Sequence, residues 1–450
     1  MIKFTYRDLR LICSSTLVVA LYAYHYFISY TPPELFLFSL LLVYFSATPK
    51  YVLHPQNFLF GFYTVWYTLP LMFATRYEHL TFSEDISIQA YCMLICSFLV
   101  GYNTLHFSTK GKRIRFTNFS FDLVNKVPIM VWHYIFVGTS ILSCILVMAT
   151  SPYGLVGWLK NPGQAFQFRD GSGLMMILLI FSSGLACTTA GVMIRKAKGV
   201  RKLVLVLLFL CMIGIYLVCI LHRQRLVNYL LILFLTIVFY MKAKLKFILP
   251  LLIFIAGSVI LSTYLRMGDD LGSGGDDSAA IALNYFDTYA ALSMSLKHEV
   301  PEWFGSSFMA FNKFKVGVGY NADIAYSISQ KFTPIYFPGW SKRATVQFPI
   351  ETEMYLNGYY VGYIPILFLY FLMIGKIYKY GFISGNVGMI YVSVYTMFEM
   401  IGHLRGMFIA HTDFYNYPVL FISYFLLNKI SDGYNLRNDL PHGGKLSTDR

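Results

Sequence analysis

The sequence predicts an all-α polytopic membrane protein: one bundle over residues 1–450 with about twelve transmembrane helices. Three observations carry this. Of the 450 residues 57% are hydrophobic and only 13% charged, against roughly 25% charged in soluble domains; the mean hydropathy is +0.57. Most apolar runs continue for about 18 residues or more, the length of a bilayer-crossing helix, whereas barrel strands would be short and alternating. The cations fall in short clusters between runs, as the positive-inside rule requires.

In chain order, the first expected span covers about Leu11 to Ser29, turns at Thr31-Pro32-Pro33, and hands over to about Leu35 to Phe45. A third runs from about Phe58 to Phe73 and a fourth from about Ile86 to His106, closed by the basic run KGKRIR at 110–115. The fifth, about Val127 to Ala149, opens into a Gly- and aromatic-rich loop holding Arg169; the sixth, about Leu174 to Ile194, ends in RKAKGVRK. Only HRQR separates the seventh (about Leu203 to Leu221) from the eighth (about Leu226 to Met241). KAKLK and the ninth span, about Phe247 to Leu265, precede a large loop over 266–358. After it come the tenth (about Tyr360 to Ile374), KIYKY, the eleventh (about Ile383 to Ile401) and the twelfth (about Tyr415 to Leu427). A polar tail over 430–450 follows.

Placing both termini in the cytoplasm puts every rich basic cluster inside, with the 266–358 loop periplasmic between helices 9 and 10. Residues 279–296 carry apolar positions at helical spacing but hold Asp287 mid-segment, and are expected to lie as a helix on the interface rather than to span. The N-terminal MIKFTYRDLR leads into a long apolar run without a small-residue cleavage site, so it reads as a retained first span.

The net charge of +14 is accounted for by the inner clusters and their contact with membrane lipids; a nucleic-acid partner is not expected. All seven cysteines lie inside apolar runs without zinc spacing, so neither a metal site nor a disulfide framework is expected. The acidic run GDDLGSGGDD at 268–277 lacks the spacing and closing Glu of a calcium loop, and no cofactor fingerprint is present.

Candidate chemistry resides in the outer cations, which the positive-inside rule does not explain. Turning HRQR inward would place the five cations of RKAKGVRK and the three of KAKLK outside, against two arginines, so the outer position wins. Arg223 and Arg225 either cap two helices as snorkelling side chains or grip a diphosphate with paired guanidinium forks. Arg266 directly follows the ninth span, as an interfacial anchor or a further phosphate contact. Glu351 and Glu353 stand before the tenth span, downstream of Arg343. Two apart, they face different sides of a helix: one can orient an arginine while the other acts as a base, or both can form a solvated helix start favoured by the macrodipole. His403, Arg405 and His411 make a second outer polar cluster.

Three features together resemble the bacterial O-antigen polymerases of the Wzy type: the twelve-span plan, the late outer loop and short local patterns. WFGSSFM at 303–309 is similar to the aromatic-Gly-x-Ser-aromatic stretch of that loop. Glu353, Tyr355, Asn357, Gly358 and Gly362 resemble the Glu-x-Tyr-x-Asn-x-Gly pattern that ends it, with Gly358 one step early. HRQRL resembles an Arg-bearing turn opening a middle span. Where many members have a Pro-Arg pair, FNKFKVG stands instead, which leaves that role to Arg343 or to none.

The resemblance implies a GT-C-like, metal-independent inner-membrane glycosyltransferase of lipopolysaccharide biosynthesis, without cofactor. It would polymerise undecaprenyl-diphosphate-linked repeat units at the periplasmic face, with a polysaccharide chain-length regulator as a possible partner. Glu353 and His403 are the expected catalytic bases. Arg223, Arg225 and Arg266, then Arg343, Arg405 and Arg169, are expected to bind the diphosphate and substrate. An O-antigen ligase would use the same donor; a transporter or flippase should show charged or broken spans at mid-membrane in matching halves.

Overall fold

The computed structural model describes residues 4–28, 30, 32–49, 54–73, 82–110, 127–160, 165, 173–196, 198–220, 288–298, 309, 312, 327–336, 338, 348–384, 387–406 and 413–430. The described residues are helical, with no strand among them. Three of their helices are long and apolar enough to cross a membrane: Glu84–Thr109, Met130–Thr150 and Ile350–Gly381. The expected spans 226–241 and 247–265 lie outside the described residues; the other expected spans each fall on a helix. The chain divides into two compact units: Met1–Lys112 with Gly275–Lys379 and Thr396–Phe414, and Arg113–Gly274 with Tyr380–Tyr395 and Tyr415–Arg450.

In the first unit, α1 (Tyr6–Phe27) starts where Asp8 reaches back to accept the Thr5 backbone N–H at 2.5 Å, an arrangement that satisfies an orphan donor of the first turn. Pro33 opens α2 (Pro33–Ser46) and Pro55 opens α3 (Pro55–Phe62), each at a position where no N–H is needed. A π-helical segment, Tyr63–Thr68, follows and runs into α4 (Leu69–Phe73). Its cause is local. Pro70 has no N–H for the Trp66 carbonyl and its ring crowds that turn. Thr68 Oγ1 reaches the Tyr63 carbonyl, five residues back, at 3.4 Å.

α5 (Glu84–Thr109) is the unit's central helix, packed against α1, α2 and α3. It also meets α10 (Thr288–His298). A Cβ on Gly101 would lie 2.8 Å from the Phe371 ring and 2.9 Å from Leu59, so only glycine lets those side chains reach the α5 backbone. Leu11, Phe36, Leu59, Phe98, Leu292 and Phe371 share one continuous core. Of the segment expected on the interface, 279–287 lie outside the described residues; in the rest Thr288–Ser293 are all buried, and α10 rests on α5 and on α11 (Ile328–Tyr336).

In the second unit, α6 (Val127–Thr150) lies along α8 (Gly173–Lys196) and α9 (Gly199–Ile220), with the short α7 (Gly154–Lys160) beside them. The α6–α8 seam is polar inside an apolar pair: Ser140 and Ser183 hydroxyls meet at 2.6 Å, and His133 Nδ1 lies 2.8 Å from Thr189 Oγ1. Hydroxyls paired this way satisfy themselves where no water competes.

The chain closes with α12 (Ile350–Ser384), α13 (Val387–Arg405) and α14 (Asp413–Ile430). α12 begins ten residues before the expected tenth span and is broken inside. Tyr359 sits at φ 52°, ψ −160°, a region that only glycine enters without strain. Ahead of the break, the Asn357 side-chain amide donates to the Glu353 carbonyl at 2.7 Å. Ile350–Asn357 is therefore a short, buried helix, and the 266–358 loop ends in ordered structure rather than in a solvated approach.

Candidate functional site

The site forms in the first unit, where the π segment, the start of α12 and the end of α13 converge. Tyr63 and Tyr67, one turn apart on the π segment, both donate to the carboxylate of Glu351: Tyr63 to Oε1, and Tyr67 to Oε2 at 3.0 Å. All three residues are fully buried. The Tyr67 hydroxyl also lies 3.3 Å from the Leu404 carbonyl, which ties α13 to the same point. Beside Leu404, His403 Nδ1 is 2.9 Å from the Tyr370 hydroxyl, and its Nε2 is 3.9 Å from Glu399.

Why these residues meet follows from packing. Phe62 stacks on Trp66 with ring centroids 5.0 Å apart, and Tyr63 packs on Phe98 of α5 at 5.3 Å. The aromatic face of the π segment is thereby fixed, and its two phenol groups point at the first turn of α12. Two apart on a helix means about 200° around its axis, so Glu351 faces the phenols and Glu353 cannot share that face. Glu353 is itself fully buried. The solvated helix start weighed for the two glutamates is not what forms.

Proton counting defines what the cluster can do. A phenol has one proton, yet Tyr67 has two acceptors in reach. When Tyr67 donates to Glu351, the carboxylate is held ionised by two phenols. When it turns to the Leu404 carbonyl, a protonated Glu351 can donate to Tyr67 instead. The arrangement accommodates both states without moving a helix. Burying a carboxylate costs several kcal/mol, and hydrogen bonds to a charged group return about 1.5–3 kcal/mol each. Two phenols are enough to hold the charge and too few to lock it.

Of the residues singled out in the sequence, His403 stands next to Leu404, whose carbonyl Tyr67 reaches, Glu353 lies buried two residues from Glu351, and Arg405 is half-buried at the last residue of α13. Arg169, Arg223, Arg225, Arg266 and Arg343 lie outside the described residues. Tyr63, Tyr67 and Tyr370 were missed by sequence reasoning, and Glu351 was seen but not favoured. The available signal was Tyr63-Thr64-Val65-Trp66-Tyr67-Thr68: four hydroxyls at helical spacing within an apolar run. No group of three His, Cys, Asp or Glu side chains converges among the described residues. Compared with protein-family models, with curated proteins and with solved structures, the chain has no significant match.

Proposed function

We propose that this chain is an inner-membrane O-antigen polymerase of the GT-C-like kind. It crosses the membrane about twelve times with both termini cytoplasmic and joins undecaprenyl-diphosphate-linked repeat units at the periplasmic face. One observation carries the reading. The stretch resembling the Glu-x-Tyr-x-Asn pattern of that family is a buried short helix, broken at Tyr359, whose Glu351 accepts from two phenols, one of which also reaches the carbonyl of Leu404 beside His403. A mere linker into a span would not gather such groups.

In this reading the acceptor hydroxyl attacks the anomeric carbon of the donor glycan, the bond to the diphosphate breaks, and the diphosphate leaves with the electron pair. Glu353 or His403 takes the acceptor proton. Arg223, Arg225 and Arg266, aided by Arg343, Arg405 and Arg169, stabilise the charge developing on the leaving group. The Tyr63–Glu351–Tyr67 cluster positions the catalytic helix and offers a store for the proton.

The test is the glycan profile of a deletion strain. Surface lipopolysaccharide carrying a single repeat unit is expected, because a separate ligase still transfers unpolymerised donor. Loss of all repeat units would replace the reading with a ligase or flippase. A sharper version uses Arg223→Lys with Arg225→Lys, which keep the charge but lose the planar fork. Loss of long chains at unchanged membrane level is expected, and full-length polymer would remove the pair from the site.

A further inference from the structure

A groove of about 580 Å³ runs between α5 and α12 on the exposed side of the first unit. Its volume is that of a ligand site, and its make-up changes along its length. Val100, Ile364, Phe368 and Leu372 wall one stretch; the Thr104 and Ser108 hydroxyls and Lys376 stand at the other. Ile364 and Phe368 are each nearly half exposed. Twelve residues of helix separate Ile364 from Lys376, about 18 Å of rise, close to the roughly 15 Å depth of one leaflet's hydrocarbon. Both walls are among the helices long and apolar enough to cross a membrane.

From this juxtaposition we propose that the groove is a binding site for one anionic phospholipid, its acyl chain along Phe368 and its phosphate at Lys376. Charge complementarity selects the headgroup. Lys376 has no hydrogen-bond or ion-pair partner among the described residues, whereas its neighbours are committed: Lys379 donates to the Lys110 carbonyl at 2.6 Å, and Lys110 is paired with Asp8. The C-terminal end of α5 lies beside Gly375 of α12 here, and its dipole disfavours an anion. Lys379 offsets part of that by donating to the Lys110 carbonyl just past α5, and Lys376 supplies the attraction. A zwitterionic headgroup gains less from a lone cation. At the polar end of the groove a Cβ on Gly375 would collide with Ser108, so the helices close together beside Lys376. The inference rests on the membrane reading of α5 and α12 and not on the polymerase reading.

The experiment measures lipid retained by the full-length protein, purified from vesicles of equal phosphatidylglycerol and phosphatidylcholine, by native mass spectrometry. Wild type should enrich phosphatidylglycerol about fivefold, the worth of one lysine at an anionic surface. Lys376→Gln should fall to parity, Lys376→Arg should keep the preference, and Lys202→Gln, an exposed lysine of α9, should change nothing. Lys376 is exposed, so its variants should melt with wild type, and that measurement accompanies the binding. No preference in wild type, or an unchanged preference in Lys376→Gln, overturns the site. Displacement of phosphatidylglycerol by an equimolar polyprenyl diphosphate would also overturn it, giving the groove to that lipid instead.

Discussion

Asp8 and Glu351 are both fully buried carboxylates in the same unit, and they are held in opposite ways. Asp8 meets a cation and two further partners: Lys110 pairs with Oδ2, His106 Nε2 lies 2.8 Å from Oδ1, and the Thr5 hydroxyl donates at 2.6 Å. Burial pushes its pKa up, but those bonds outweigh it and hold the group well below the usual carboxylate range. Around it the chain is clamped: Arg7 donates to the Ala47 carbonyl at 2.6 Å and Arg10 to that of Phe45 at 3.0 Å. Nearby His54 accepts the Gln56 N–H, and burial together with the charges of His106 and Arg7 lowers its pKa to about 3. Among the described residues the Glu351 carboxylate is met by two phenols, one of them shared with the Leu404 carbonyl. A carboxylate matched by a cation fastens helix ends; one matched by neutral donors keeps a proton within reach of two states.

The contrast predicts a graded set of outcomes. Asp8→Ala leaves the Lys110 ammonium without its buried partner and should cost about 3 kcal/mol of stability, read as thermal unfolding in detergent; a loss below about 1 kcal/mol would break the clamp. The same pair sets an acid limit. With the folded pKa below the unfolded value of about 3.9, its stabilisation is complete above roughly pH 5 and is lost as pH falls through the folded pKa. Melting temperature should therefore decline below about pH 4, and less steeply in Asp8→Asn.

Tyr63→Phe removes one of the two donors to Glu351 and should cost about 2 kcal/mol, measured the same way. Glu351→Gln keeps the shape and one acceptor, so stability should move by less than about 1 kcal/mol. Under the proposed function, however, the glycan ladder should shorten, since the amide cannot hold the transferred proton. An equal loss of stability in Glu351→Gln and Asp8→Ala would erase the distinction between the two carboxylates. A further effect, smaller than those of Asp8→Ala and Tyr63→Phe, concerns the break in α12. Tyr359→Gly and Tyr359→Ala both lose the ring that packs on Tyr355 at 5.5 Å, yet only glycine relaxes at φ 52°. The glycine variant should be more stable than the alanine one by about 1–2 kcal/mol.

What the sequence by itself determined is the helical plan. Continuous apolar runs, proline starts and basic punctuation are local signals, so α1, α2, α5, α6, α8, α9, α13 and α14 fall where hydropathy puts them, whereas α7 forms in an expected loop and α12 starts ten residues early. His403 stood out for a similar reason, as part of an outer polar cluster with Arg405 and His411 between two apolar runs. The rest needed the tertiary structure. Glu351 and Tyr63 are separated by 288 residues, and no period in either segment says which helix faces meet. The choice of Glu351 over Glu353 for the phenols is a matter of about 200° of rotation around one helix, set by the stacking of Phe62 on Trp66 and of Tyr63 on Phe98. The burial of α10 and the break at Tyr359 were decided the same way. Hydropathy states how much of a helix must avoid water, but only packing states which neighbour covers it.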